Sequence, residues 1–283
     1  MAEPIVSHGG HGLPYSKGLT AQSLSASGVS PPRAFELARE VERRLVREGI
    51  AEIDLEGLRA LTGEVLLAAE GEAALRRWRG WSGIDRLDPP LLVLIGGATG
   101  VGKSTVASML AARLGITRVI ATDVIRQVLR SFFAPEAVPR VHSSAFELDL
   151  DGFAEQPELV ATATAAIVRH ACQEGTPIVV EGVHAVPGTF APELLDGCVT
   201  VQALLVVSDE ELHRAHFSLR GAGRPAERYL ARFADIRSLQ AHLTERAHDE
   251  GIAVIDNRGV DAALQRLMEL VLDTAGERRD TLG

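Results

Sequence analysis

The chain has 283 residues, 46% of them hydrophobic, and a formal net charge of −9, so it holds enough apolar material for one large or two modest packed domains. Recognition of nucleic-acid backbones and anionic membranes rests on positive surface, which this acidic balance disfavours, so neither is expected as a partner. With no signal-peptide pattern and no apolar run of membrane-spanning length, the protein is expected in the cytoplasm, and Cys172 and Cys198, which form no CxxC pair, are expected as buried thiols with neither a disulfide nor a structural zinc.

Ile5 to Tyr15 is rich in glycine and histidine and suits a short hairpin; His8 and His11 there lack the cysteine or carboxylate partners a metal site needs. Lys17 to Ser27, Pro31 to Glu48 and Leu55 to Arg79 carry apolar residues at helical spacing. Pro31 and Pro32 suit a first helical turn, and Asp54 suits the cap of the third helix. Residues 1–88 thus read as a small, mainly helical domain, with Asp88-Pro89-Pro90 as the joint to a second domain over residues 89–283.

From Leu91 onward, apolar runs alternate with helical segments. Leu91 to Ile95, Arg118 to Ala121, Pro177 to Val180, Val201 to Val207 and Ala253 to Ile255 read as five strands of a mostly parallel sheet covered by helices, an α/β architecture. The piece from Phe132 to Gln156 has two prolines, a glycine and no strong period, so it reads as an irregular connection beside the substrate.

Between the first of these strands and the helix after it lies GGATGVGKST, a phosphate-binding loop by spacing and context. Glycines there let successive amides face phosphate oxygens, and the helix N-terminus adds partial positive charge. Gly97, Ala98, Thr99, Gly100, Val101, Gly102, Lys103, Ser104 and Thr105 form the expected ATP site, with Ser104 also placed for Mg2+. Only two of the 29 basic residues are lysine, Lys17 and Lys103. An arginine-rich chain has a lysine where a compact point charge meets the outer phosphates.

Ligands of open parallel sheets bind beyond the carboxyl ends of the strands. Asp123 follows the second strand and Glu181 ends the third; Asp123 is expected to hold or deprotonate an acceptor hydroxyl, and Glu181 to serve the metal side. Asp123 also suits a plain helix cap. Arg126 and Arg130 share a helix face after Asp123, suited to an anionic substrate or to solvent. Arg214, Arg220, Arg224 and Arg228 bracket Gly221, Gly223 and Pro225, the composition of a lid whose guanidinium groups close over transferring phosphate; Arg220 and Arg224 are the catalytic candidates, Arg214 and Arg228 the substrate-binding ones. His184, near Glu181, is a candidate for a substrate contact or for orienting that carboxylate. Asp256 and Asn257, after the last strand, fall near an expected adenine position or make a turn, and Asn257 is the candidate retained for the nucleotide.

With these residues in view, the chain resembles the 2-phosphoglycerate kinases over most of its length. LPYSKGLTAQSLSASGV followed by AFELAREVERRL is similar to the ATP-cone-type domain that precedes the kinase in that family. GGATGVGKST, ATDVIRQVLR, the HSSAFE piece with His142 and Ser143, VVEGVHAVPG, and the DEELHRAHF to RYLARFADIRSLQ block resemble family motifs in the same order. The hairpin SHGGHG departs from the pattern, lacking the basic residues an ATP-cone places there.

The resemblance implies a P-loop NTPase fold and transfer of phosphate from ATP to 2-phosphoglycerate with Mg2+. It assigns Lys103 and Ser104 to ATP and metal, and Asp123, Arg126 and Glu181 to the transfer site. His142 and Ser143 join the substrate candidates through the HSSAFE piece. Rival readings are a kinase of another anionic or polyol acceptor, such as a sugar acid or inositol phosphate, and a non-catalytic nucleotide sensor. The expected partner is a small anionic molecule, and self-association into a homo-oligomer is left open.

Overall fold

A computed structural model describes residues 4–25, 27–81, 87–142, 150–185, 188–191, 195, 197–218 and 226–282. The chain divides into two compact units, Met1–Ile84 with Ala112–Gly115, and Asp85–Ala111 with Ile116–Gly283.

The first unit opens with strands β1 (Ile5–His8) and β2 (His11–Pro14), paired antiparallel as the expected hairpin. Helices α1 (Lys17–Ser25) and α2 (Pro31–Arg47) follow, the latter with prolines in its first turn. Strand β3 (Glu52–Asp54) pairs parallel with β1 and leads into α3 (Leu55–Trp81), which is interrupted at Gly71. Asp54 accepts a hydrogen bond from the Gly57 amide at 2.7 Å, the cap its position predicts. The unit is therefore a three-stranded sheet with helices, of which β3 is an addition to the sequence reading. Leu24, Leu37, Val41, Leu45, Leu66 and Trp78 form much of its core, and Tyr15 donates its hydroxyl to the Ala38 carbonyl inside it at 2.9 Å.

The second unit runs β4 (Leu91–Gly96), α4 (Lys103–Leu114), β5 (Arg118–Ala121), α5 (Thr122–Phe132), α6 (Pro139–His142), α7 (Leu150–Gln173), β6 (Ile178–Glu181) and β7 (Val199–Val206). It ends with α8 (Glu210–Ser218), α9 (Ala226–Leu230), α10 (Phe233–Asp249), β8 (Ala253–Asp256) and α11 (Val260–Leu282). The five strands lie in the order β5-β6-β4-β7-β8, every neighbouring pair parallel.

Central β4 is buried at every residue, as a strand covered on both faces must be. Leu92 and Leu94 join Ile178 and Val180 in packing on Ala161, Val168 and Ala171 of α7. Leu204 and Val206 pack on Leu239, Leu243 and Ala247 of α10. Each fully buried aliphatic side chain of this kind contributes about 1.5–3 kcal/mol.

Two expectations are corrected. Helix α7 begins at Leu150, so the end of the stretch read as irregular is helical, and it continues through Pro157, a residue that sequence reading takes as a breaker. Cys172 and Cys198 are joined as a disulfide. Their separation of 26 residues gave no signal, because it is the packing of α7 on the sheet that brings the last turn of α7 to the start of β7.

Candidate active site

Strand β4 runs straight into the phosphate-binding loop, and α4 starts at Lys103, so the loop caps a helix N-terminus as the motif requires. Side chains take four successive carbonyls of the loop. Lys103 Nζ donates to Ala98 O at 2.8 Å and Asn257 Nδ2 to Val101 O at 2.8 Å. His213 Nε2 lies 2.9 Å from Thr99 O, and His216 Nδ1 lies 2.9 Å from Gly100 O. In a trans peptide the N–H points opposite to the C=O, so these four bonds turn the amides of residues 99–102 the other way. The result is an anion-receiving nest.

Sheet register sets the next layer. Ala121 of β5 and Ile95 of β4 both lie beside Glu181 of β6, which brings the three strand ends together. Glu181 is only 6% exposed, and its Oε1 accepts from Ser104 Oγ at 2.8 Å. A hydroxyl at the head of α4 and a strand-end carboxylate thus form one oxygen pair.

After β6 the chain turns at Gly182, whose φ of +151° suits glycine and whose missing Cβ leaves room for the Thr122 hydroxyl. Thr122 Oγ1 lies 3.2 Å from His184 Nδ1. His184 is buried, and burial first, then Arg126 and Lys103, push its pKa down to about 3 against an opposing pull from Asp123. The ring is therefore neutral at ordinary pH.

Asp123 sits in the first turn of α5, its Oδ1 accepting from Arg126 Nε at 3.1 Å and Nη2 at 2.8 Å. The Arg126 side chain is 7% exposed and that of Asp123 is 60% exposed, so the carboxylate faces outward from a buried guanidinium. Lys103, Ser104, Asp123, Arg126, Glu181 and His184 thus share one neighbourhood at the strand ends.

Other candidates lie apart from that group or have other contacts. Arg130 donates to Gln127 Oε1 at 3.4 Å on the exposed side of α5. His142 Nε2 is 2.8 Å from Phe133 O. Arg214 stacks over the Phe233 ring at 3.8 Å and approaches Glu210 at 4.0 Å. Arg228 is exposed on α9. Asn257 is buried against the loop backbone, and Asp256 accepts from the Ser208 amide at 2.9 Å. Ser143, Arg220 and Arg224 lie outside the described residues.

Sequence reasoning missed His213 and His216. Their three-residue spacing in ELHRAHF shows that they share a helix face, but nothing local shows that this face meets the loop.

Known proteins resemble the chain over most of its length. The protein-family profile described as Zeta toxin matches residues 82–230. A 2-phosphoglycerate kinase of Methanopyrus kandleri is 36% identical over 275 residues, covering 92% of this chain and 84% of its own. One from Pyrococcus horikoshii is 34% identical over 274 residues, covering 92% of this chain and 90% of its own. One from Methanococcus maripaludis is 31% identical over 280 residues, covering 92% and 89% respectively.

Proposed function

Because the chain belongs to the 2-phosphoglycerate kinase family, we propose that it transfers the γ-phosphoryl group of ATP to the free hydroxyl of 2-phosphoglycerate, giving ADP and 2,3-bisphosphoglycerate. The observation that carries this reading is the shared neighbourhood of the Ser104–Glu181 pair and the Asp123–Arg126 pair at the ends of adjacent strands. A nucleotide sensor has no use for a carboxylate–guanidinium pair beside its phosphate loop.

In this reading the loop amides and Lys103 hold the β- and γ-phosphates, and the helix N-terminus adds positive potential there. The hydroxyl of Ser104 and the carboxylate of Glu181 are hard oxygen donors that fit Mg2+. They would hold the ion, which when bound supplies charge neutralisation at the phosphates.

Asp123 accepts the hydrogen bond of the acceptor hydroxyl and takes its proton as the acceptor oxygen bonds to the γ-phosphorus and the bond to the β,γ-bridging oxygen breaks. Arg126, already partly desolvated, receives the carboxylate or phosphate of the acceptor. Neutral His184 contributes position, holding Thr122 at the head of α5. Arg130, Arg214, Arg220, Arg224, Arg228, His142 and Ser143 belong to the same reading as contacts made when substrates are bound, and Asn257 serves the nucleotide through its bond to the loop carbonyl of Val101. So does the division into an ATP-cone-like unit, residues 1–88, and a kinase unit, residues 89–283, acting in the cytoplasm.

An acceptor panel tests the substrate. ADP release is followed with Mg-ATP and, in turn, 2-phosphoglycerate, 3-phosphoglycerate, gluconate and an inositol phosphate. A kcat/KM highest for 2-phosphoglycerate supports the reading; a higher value for another acceptor replaces the substrate.

A further inference from the structure

His213 and His216 stand one turn apart on α8 and both end on backbone oxygens of the phosphate-binding loop. A carbonyl oxygen only accepts, so His213 carries a proton on Nε2 and His216 on Nδ1. For His213 this has a cost. Its ring is fully buried, and burial pulls its pKa below the ordinary histidine value, so the ring is neutral and Nδ1 has no proton; that nitrogen is buried with no hydrogen-bond partner among the described residues.

The surroundings of the His213 ring are those of an apolar core. It stacks on Phe217 with centroids 5.5 Å apart and meets the edge of Phe233 at 5.4 Å. Leucine or phenylalanine would fill such a place without stranding a polar atom. Among the described residues, the one polar contact that the imidazole makes and an apolar side chain would not is its donation to Thr99 O.

The contact is close. Gly100 has φ +94°, and a Cβ there would run into Phe217 and lie 2.9 Å from His213 Nε2, so α8 rests directly on loop backbone. Outward carbonyls at Thr99 and Gly100 turn the amides of Gly100 and Val101 towards the anion. Without those two acceptors held, each peptide is free to rotate and the nest must be ordered anew whenever phosphate arrives.

We infer that His213 and His216 are positioning residues of the kinase reaction, a clamp from α8 that holds the loop peptides in their phosphate-receiving orientation before nucleotide binds. This rests on the nucleotide reading given above. Neither histidine touches the phosphates; both act through peptide groups that do.

The test uses the full chain and five proteins: wild type, His213→Leu, His213→Gln, His216→Ala and His216→Asn. The Gln amide nitrogen stands where Nε2 stood, and the Asn amide nitrogen where Nδ1 stood. Calorimetric Mg-ATP affinity and steady-state constants for both substrates are measured, with melting temperature alongside. Leu and Ala are expected to raise the Kd and KM for ATP about tenfold while changing the acceptor KM less than about twofold, and Gln and Asn to restore most of the loss.

His213→Leu is expected to melt no lower than wild type. If it fails to fold, the His216 pair decides, since that ring is only partly buried. Wild-type ATP affinity in the Leu and Ala variants overturns the inference and leaves the kinase reading standing. Equal losses for both substrates together with a lower melting temperature overturn it too, as an ordinary packing role. Absence of Mg-ATP binding by the wild type overturns the nucleotide reading itself.

Discussion

Ser104, one residue into α4, and Glu181, the last residue of β6, are joined by a 2.8 Å hydrogen bond across 77 residues of sequence. The bond exists because β6 lies beside β4 in parallel register, which carries the carboxylate to the foot of the loop helix. Glu181→Gln keeps an acceptor oxygen and removes the charge. Half-maximal rate is then expected to need roughly tenfold more Mg2+, at unchanged melting temperature. A Mg2+ titration of initial rate checks this, and an unaltered requirement would detach Glu181 from the metal.

Lys103→Ala removes the ammonium that now rests on Ala98 O. Turnover is expected to fall by about 10³ or more, with the far-ultraviolet circular dichroism unchanged, because the loop keeps its other three carbonyl braces. Retention of most of the ATP-dependent activity would remove this residue from the reaction.

Asp123→Asn is expected to lower kcat by about 10²–10⁴ with little change in ATP affinity, since the amide keeps a hydrogen bond but takes no proton. Arg126→Lys should instead raise the acceptor KM, because a point charge replaces a planar fork that already makes two contacts to Asp123. Equal loss of ATP binding in the Asn variant would move Asp123 to the metal.

His184 has its pKa lowered to about 3, mainly by burial. In the unfolded chain an imidazole titrates near 6.5. Below that pH the unfolded state takes up a proton that the folded state refuses, so stability falls as pH drops from about 6.5 towards about 3 and is unaffected above that window. At about pH 5 this one ring costs about 2 kcal/mol. His184→Asn retains a polar atom for the Thr122 hydroxyl and removes the titration, so its stability should drop about 2 kcal/mol less than wild type between about pH 7.5 and about pH 5. Parallel denaturation profiles for the two proteins would show that the folded protein protonates this ring freely.

Features written in local pattern were the legible ones. The loop glycines, Lys103 and the apolar strands are each contiguous, and parallel-sheet geometry alone places Asp123 and Glu181 at one edge. Features made by long-range packing were not. Asn257 meets Val101 across 156 residues, and His213 meets Thr99 across 114, so no spacing rule links them. Strand β3 has three residues, too few for a period, and its Asp54 doubles as a helix cap. The cysteine pair is likewise a product of helix-on-sheet packing.

The most direct measurement follows the labelled phosphorus. Purified protein is incubated with Mg2+ and γ-labelled ATP, with and without 2-phosphoglycerate, and the products are separated. The account expects label in 2,3-bisphosphoglycerate, in step with ADP, only when the acceptor is present, and none with Lys103→Ala. Label appearing as free phosphate at one rate with or without acceptor would contradict it.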